Sequence, residues 1–124
     1  MLTGIDTGFF YALGEKKAET LQIWKKEQLV VSVITVYELE KSFLKGTFPD
    51  CSRFLERLKE ACMIVPVNLE TALRASHISQ GTGIPGLDAL ILASLLETGC
   101  KKILTRDPHF LEYKKKGIEI TIIK

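Results

Sequence analysis

Short apolar runs alternate with longer stretches in which apolar positions recur every three or four residues, from Leu2 to the last residues of the chain. The short runs read as strands and the periodic stretches as helices. The pattern predicts a strand over Leu2–Asp6, a helix to about Leu13 and a second helix over Ala18–Lys26. A strand at Leu29–Val33 and a helix over Val36–Lys45 follow, and Gly46 and Pro49 break that helix. Apolar residues at Phe54, Leu55, Leu58, Ala61 and Cys62 form a helical stripe within Arg53–Cys62. That stripe suits either a core or a dimer interface.

Met63–Val67 reads as a strand, and Asn68 as the cap of a helix over Leu69–Gln80. The loop "GTGIPG" leads into "LDALILASLLE", which is apolar almost all round and therefore reads as a buried helix. Lys102–Thr105 is a strand, a short helix follows Pro108, and "IEITIIK" closes the chain as a β-branched strand. Strands alternating with helices predict an α/β fold: a three-layer α/β/α sandwich around a parallel sheet of four to five strands.

Composition narrows the class. At 124 residues, 46% hydrophobic and 26% charged, the chain is expected to be one globular domain over residues 1–124. No apolar run approaches the roughly 20 residues that cross a bilayer, and "MLTGIDTGFF" lacks the basic and apolar regions of a secretory signal. Cys51, Cys62 and Cys100 are odd in number and form no C-x-x-C pair, so a reducing cytoplasm is the expected location. His77 and His109, the only histidines, lie too far apart in sequence to suggest a zinc site. A net charge of +2 does not announce a nucleic-acid binder, although lysines cluster at Lys16-Lys17, Lys25-Lys26, Lys101-Lys102 and Lys114-Lys115-Lys116.

The chemistry lies in acids near strand ends. Open parallel sheets bind ligands beyond the carboxyl ends of their strands. Asp6 ends the first strand in "GIDTGFF", Glu38 opens the helix after the second in "SVITVYELEK", and Asp107 follows the fourth in "ILTRDPHF". Asp88 falls in the first turn of the buried helix. Each also has a local explanation. Asp6 and Asp107 suit helix N-caps, Thr35 and Glu38 have the spacing of a capping box, and Asp88 suits a helix start.

Four acids at one edge repel one another unless a cation neutralises them. Asp88 has no lysine or arginine within a turn, in an otherwise apolar helix. Hard oxygen ligands suit Mg²⁺ or Mn²⁺ as its partner. Glu38 competes with Glu40: helical periodicity places Glu40 beside Val36 and Phe43, whereas position along the helix favours Glu38.

The segments "IDTGFF", "SVITVYELEKS", "GLDALILAS" and "ILTRDPHF", in this order over about 120 residues, resemble the PIN domain. Within it they resemble the small VapC-like ribonucleases of toxin–antitoxin pairs. The resemblance implies an acidic site of Asp6, Glu38, Asp88 and Asp107, with Thr105 supporting the metal or its waters. Its acid followed by leucine selects Glu38 over Glu40. It further implies an Mg²⁺- or Mn²⁺-dependent endoribonuclease acting on single-stranded RNA, with an antitoxin protein as partner and a homodimer as assembly.

In that mechanism Asp6, Asp88 and Asp107 bind one ion, Glu38 ligates it or orients the attacking water, and a second ion arrives with RNA. Other PIN-like domains process or degrade RNA outside toxin pairs, or bind RNA or protein without cutting. "DTG" is also the signature of retroviral-type aspartic proteases, but those are almost entirely β. A phosphoacceptor receiver domain would need paired acids after its first strand, where Asp6 stands alone.

Overall fold

The structure, a computed structural model, describes residues 1–48 and 53–124. Pro49, expected to break a helix, and Cys51 lie outside the described residues. Five strands form one sheet: Leu2–Ile5 (β1), Gln28–Ser32 (β2), Cys62–Val65 (β3), Lys102–Thr105 (β4) and Glu119–Ile122 (β5). Their order is β3-β2-β1-β4-β5 and every pairing is parallel. From β1 the chain builds outward through β2 to β3. It then crosses to the other side of β1 and continues through β4 to β5.

That reversal creates a switch point between β1 and β4, at whose carboxyl edge two flanking loops diverge and leave a crevice. The helices are Thr7–Gly14 (α1), Ala18–Lys26 (α2), Val33–Leu44 (α3), Phe54–Ala61 (α4), Leu69–Thr82 (α5) and Gly86–Glu97 (α6), with a 3-10 turn over Pro108–Glu112.

Strand alternation sorts the core into two faces. Val30 and Ile103 point to one side, against Ala75 and Ile78 of α5 and the buried run of α6. Leu29, Val31, Ile5 and Leu104 point to the other, against α1, α3 and α4. The α/β/α sandwich expected from the sequence is thus present, with five strands. Gly4 explains how α6 seats so closely: a Cβ there would lie 3.1 Å from Leu95, 3.2 Å from Cys100 and 3.3 Å from Ile103. Helix α6 is buried at Ala89 and continuously from Ile91 to Leu96, as its all-round apolar pattern predicts. Its one polar residue there is satisfied, since Ser94 donates to the Leu90 carbonyl and accepts from Ser32.

Among the boundaries that differ from expectation, three have a clear physical reason. β3 ends at Val65 because Pro66 has no N–H to give the ladder. α5 runs on to Thr82, through Gly81, because the residue that turns the chain is Gly83, in the left-handed region at φ +81°. α3 begins at Val33, three residues early, with the Ser32 hydroxyl accepting from Ile34 N–H at 3.1 Å. The β-branched run Val33-Ile34-Thr35-Val36 favours a strand locally, but the capping serine and tertiary packing override that preference.

The capping box expected at Thr35 and Glu38 is therefore absent. Thr35 is fully buried inside the helix, and Glu38 sits in its second turn. In α4 the apolar stripe divides: Leu58 is buried and Phe54 packs on Phe43 and Phe10, while Leu55 faces outward. Among the described residues, Cys62 and Cys100 are buried free thiols, and no helix is long and apolar enough to cross a membrane.

Candidate active site

A cleft of about 580 Å³ opens at the carboxyl edge of the sheet, and Asp6, Glu38, Asp88 and Asp107 all line it. Four separate elements deliver them. Asp6 follows β1 and caps α1, with Oδ1 accepting from Phe9 N–H at 3.0 Å. Its other oxygen accepts from the hydroxyl of fully buried Thr105, at the end of β4. Asp107 lies two residues further on and caps the 3-10 turn, accepting from His109 N–H at 2.9 Å. The Asp107 N–H donates to Thr105 Oγ1 at 2.9 Å, so this one threonine ties both aspartates to the switch point.

Glu38 reaches in from α3, where Thr7 Oγ1 donates to it at 2.5 Å. Asp88 comes from the first turn of α6 and makes no cap hydrogen bond there. Glu40, the alternative to Glu38, is exposed and does not line the cleft. Periodicity pointed to Glu40 because Val36 and Phe43 are partly buried, but the turn between those two residues is filled by Leu39.

Burial, and for Asp88 the neighbouring acids as well, shows in the protonation of the site. Burial, which leaves only 5% of Asp6 exposed, raises its pKa from 3.8 to about 6 against the lowering hydrogen bonds from Thr105 and Phe9. The Asp88 pKa also rises to about 6, first through desolvation, then through a proton shared with Asp107 and the charges of Asp107, Glu38 and Asp6. Burial pushes Asp107 the same way, but hydrogen bonds from His109 N–H and Asp88 outweigh it and hold Asp107 below its ordinary value. The two carboxyls therefore shift in opposite directions, Asp88 up and Asp107 down.

The sequence profile of the PIN domain matches residues 5–116. The chain belongs to the PIN domain family. A toxin–antitoxin complex from Klebsiella pneumoniae contains a similar fold, with a TM-score of 0.73 and 19% identity over 94% of each chain. VapBC2 from Rickettsia felis, bound to a DNA fragment from its promoter, is similar at a TM-score of 0.72 and 14% identity over 98% of each chain. Comparison with curated proteins returns no match.

Whether the PIN cleft suits a divalent cation can be judged from its donors. Among the described residues, no three His, Cys, Asp or Glu side chains stand together as a ready-made cage. Asp6, Glu38 and Asp107 are each drawn to a hydroxyl or N–H donor of their own. Yet all four donors are hard oxygens, and two of them are held near protonation by burial and by one another. A small divalent ion relieves that cost, so the chemistry of the donor set fits one.

Around the acids lie residues that sequence reasoning did not single out. Thr7 holds Glu38, and His109 holds Asp107 with both its backbone N–H and its ring Nδ1, 2.9 Å away. Arg106 lines the rim, paired with Glu15 at 3.0 Å and with the Lys124 carbonyl. Along α3 the wall continues through Tyr37, Lys41, Ser42 and Lys45. The spacing of Glu38, Lys41 and Lys45 on one helical face carried part of this signal. Tyr37, which directly follows the β-branched run Val33-Ile34-Thr35-Val36, carried none.

Proposed function

We propose that the chain is a metal-dependent endoribonuclease that hydrolyses phosphodiester bonds of single-stranded RNA. One observation carries the reading: four acids from four separate elements converge on the switch-point cleft, and two of them are pushed to a pKa of about 6. Helix capping accounts for Asp6 and Asp107 alone and would not bring Glu38 and Asp88 into the same hollow.

Asp6, Asp88 and Asp107 would hold one Mg²⁺ or Mn²⁺, with Glu38 beside them. A bound divalent ion supplies charge neutralisation at the phosphate and a water of lowered pKa. The protein's own residues do the remaining work. Glu38, held by Thr7, is placed to accept a proton from an attacking water at the cleft mouth. Thr105 keeps Asp6 and Asp107 in fixed relation, and His109 keeps the Asp107 carboxylate ionised.

The fold shared with toxin–antitoxin complexes supports a VapC-like toxin with an antitoxin protein as partner, and we propose a homodimer acting in the cytoplasm as its assembly and location. Residues 1–124 would then form a single nuclease domain. Metal-dependent cleavage of single-stranded RNA by wild type, Asp6→Asn and Asp88→Asn tests the site. Loss in both variants is expected, and undiminished cleavage in both removes it.

A further inference from the structure

The cleft has two electrostatic halves. The acids gather at the sheet edge, while Lys41 and Lys45 extend away from Glu38 along α3, three and seven residues on. At 1.5 Å of rise per residue the track from Glu38 to Lys45 is about 10 Å long. Neither lysine forms an ion pair among the described residues, whereas Arg106 on the opposite rim is engaged by Glu15.

Beside these lysines stands Tyr37, which lines the same cleft and is 52% exposed despite its large apolar ring. The Lys41 ammonium lies over that ring at 5.9 Å from its centre, near the outer limit for a cation–π contact. Such a contact at an exposed site is readily exchanged for a better partner. The floor beneath is firm, since Tyr11 and Ser42 join their hydroxyls at 2.5 Å and tie α1 to α3.

An aromatic face with two cations beside it matches one kind of ligand well: a flat base flanked by backbone phosphates. Bases of any identity stack on aromatic side chains, and lysines follow the backbone. A neutral apolar peptide would leave both lysines unmatched. An acidic peptide would match the lysines but carries no flat ring at each repeat to stack on Tyr37.

We infer that Tyr37, Lys41 and Lys45 form a single-strand track on the α3 wall, in which a base stacks on Tyr37 and the adjoining phosphates pair with the lysines. The track rests on the nuclease reading for its purpose, because it leads the strand to Glu38 and the other acids. Tyr37 is thus a substrate-positioning residue, with no part in the chemistry.

The test compares Tyr37→Leu, Tyr37→Phe and the double variant Lys41→Gln/Lys45→Gln. Binding of a short fluorescein-labelled single-stranded RNA is followed by anisotropy in an Asp88→Asn background, so that cleavage does not intervene. Steady-state cleavage is measured with otherwise wild-type protein and Mn²⁺. Tyr37→Leu is expected to weaken binding and raise KM about tenfold with kcat nearly unchanged, while Tyr37→Phe, which keeps the ring, stays within about twofold. The double lysine variant should lower the slope of log affinity against log salt by about 1.4, at about 0.7 per phosphate contact on a single strand.

Tyr37 is exposed, so the melting temperature should not move in either tyrosine variant. Cleavage that proceeds with Tyr37→Leu unchanged in affinity and KM overturns the track and leaves the nuclease reading intact. This is also the result expected if Tyr37 serves a protein partner. Equal damage from Tyr37→Phe and Tyr37→Leu likewise overturns stacking. Tyr37-dependent RNA binding by a wild-type protein that never cleaves supports the track and sinks the nuclease reading.

Discussion

The hydroxyl of Thr105 hydrogen-bonds the carboxylate of Asp6, joining the end of β4 to the end of β1. The same oxygen accepts the Asp107 N–H at 2.9 Å. A fully buried threonine thereby sets the spacing of two acids that the sequence separates by a hundred residues or so. Replacing Thr105 with valine keeps the shape but leaves the Asp107 N–H without its partner and removes a bond that favours ionised Asp6. Thr105→Val should cost about 1–3 kcal/mol of stability and move the ionisation of Asp6 further above 6. Thr105→Ser should retain most of both. Denaturant unfolding, with the pH profile of metal-dependent cleavage, checks the pair.

The raised acids also predict how stability depends on pH. Between the ordinary pKa of 3.8 and the folded value of about 6, the folded chain holds a proton on Asp6 that the unfolded chain has lost. Stability from this group is therefore fully present below about pH 4 and lost as pH rises through about 6. A shift of roughly two units makes the loss on the order of 3 kcal/mol for Asp6. Asp88, more open to solvent, adds in the same direction. In a chelator, the wild-type melting temperature should fall between about pH 4 and pH 7, and the fall should flatten in Asp6→Asn. Adding Mn²⁺ at the higher pH should raise it in wild type more than in Asp88→Asn. A wild-type chain equally stable at both pH values would show that burial does not raise the pKa of Asp6 and Asp88.

Much of this could be read from the chain, because the relevant signals were local. Apolar runs marked the strands, the all-round apolar pattern of α6 marked its burial, and Asp6 and Asp107 announced themselves as acids just past strands. What could not be read depended on contacts between distant segments. Thr7 meets Glu38 only because α1 lies beside α3. The start of α3 was misplaced because β-branched residues prefer strands until a capping serine and the core decide otherwise. Glu40 competed with Glu38 until the folded helix turned one into the cleft and the other to solvent.

That orientation makes a clean contrast. Both glutamates are on α3, two residues apart, and their replacement by glutamine changes local helix preference about equally. Glu38→Gln removes a carboxylate that lines the cleft and that Thr7 holds. Cleavage should fall about 10²-fold or more, the range for a lost proton acceptor. Glu40→Gln should leave kcat/KM within about twofold. Equal effects from the two would mean that cleft position does not determine the role of these acids.

Gly8 offers a test of how tightly the rim is built. It is the second residue of α1, and a Cβ there would come within 2.9 Å of Arg106 Cβ and 3.4 Å of the Arg106 backbone nitrogen. A contact below 3 Å must be relieved, and the atoms met belong to the base of the side chain and the backbone, which cannot swing away. Alanine favours helix over glycine by up to about 1 kcal/mol, yet overpacking costs about 1–3 kcal/mol. The cost should win, so Gly8→Ala is expected to be net destabilising. The relief also has a direction: it pushes the Arg106 backbone outward, between Thr105 and Asp107. Cleavage should therefore fall more than stability does, by about tenfold under conditions where the variant is fully folded. Unfolding curves measured alongside kcat/KM separate the two effects, and a Gly8→Ala protein as active and as stable as wild type would show that the segment after β4 yields easily.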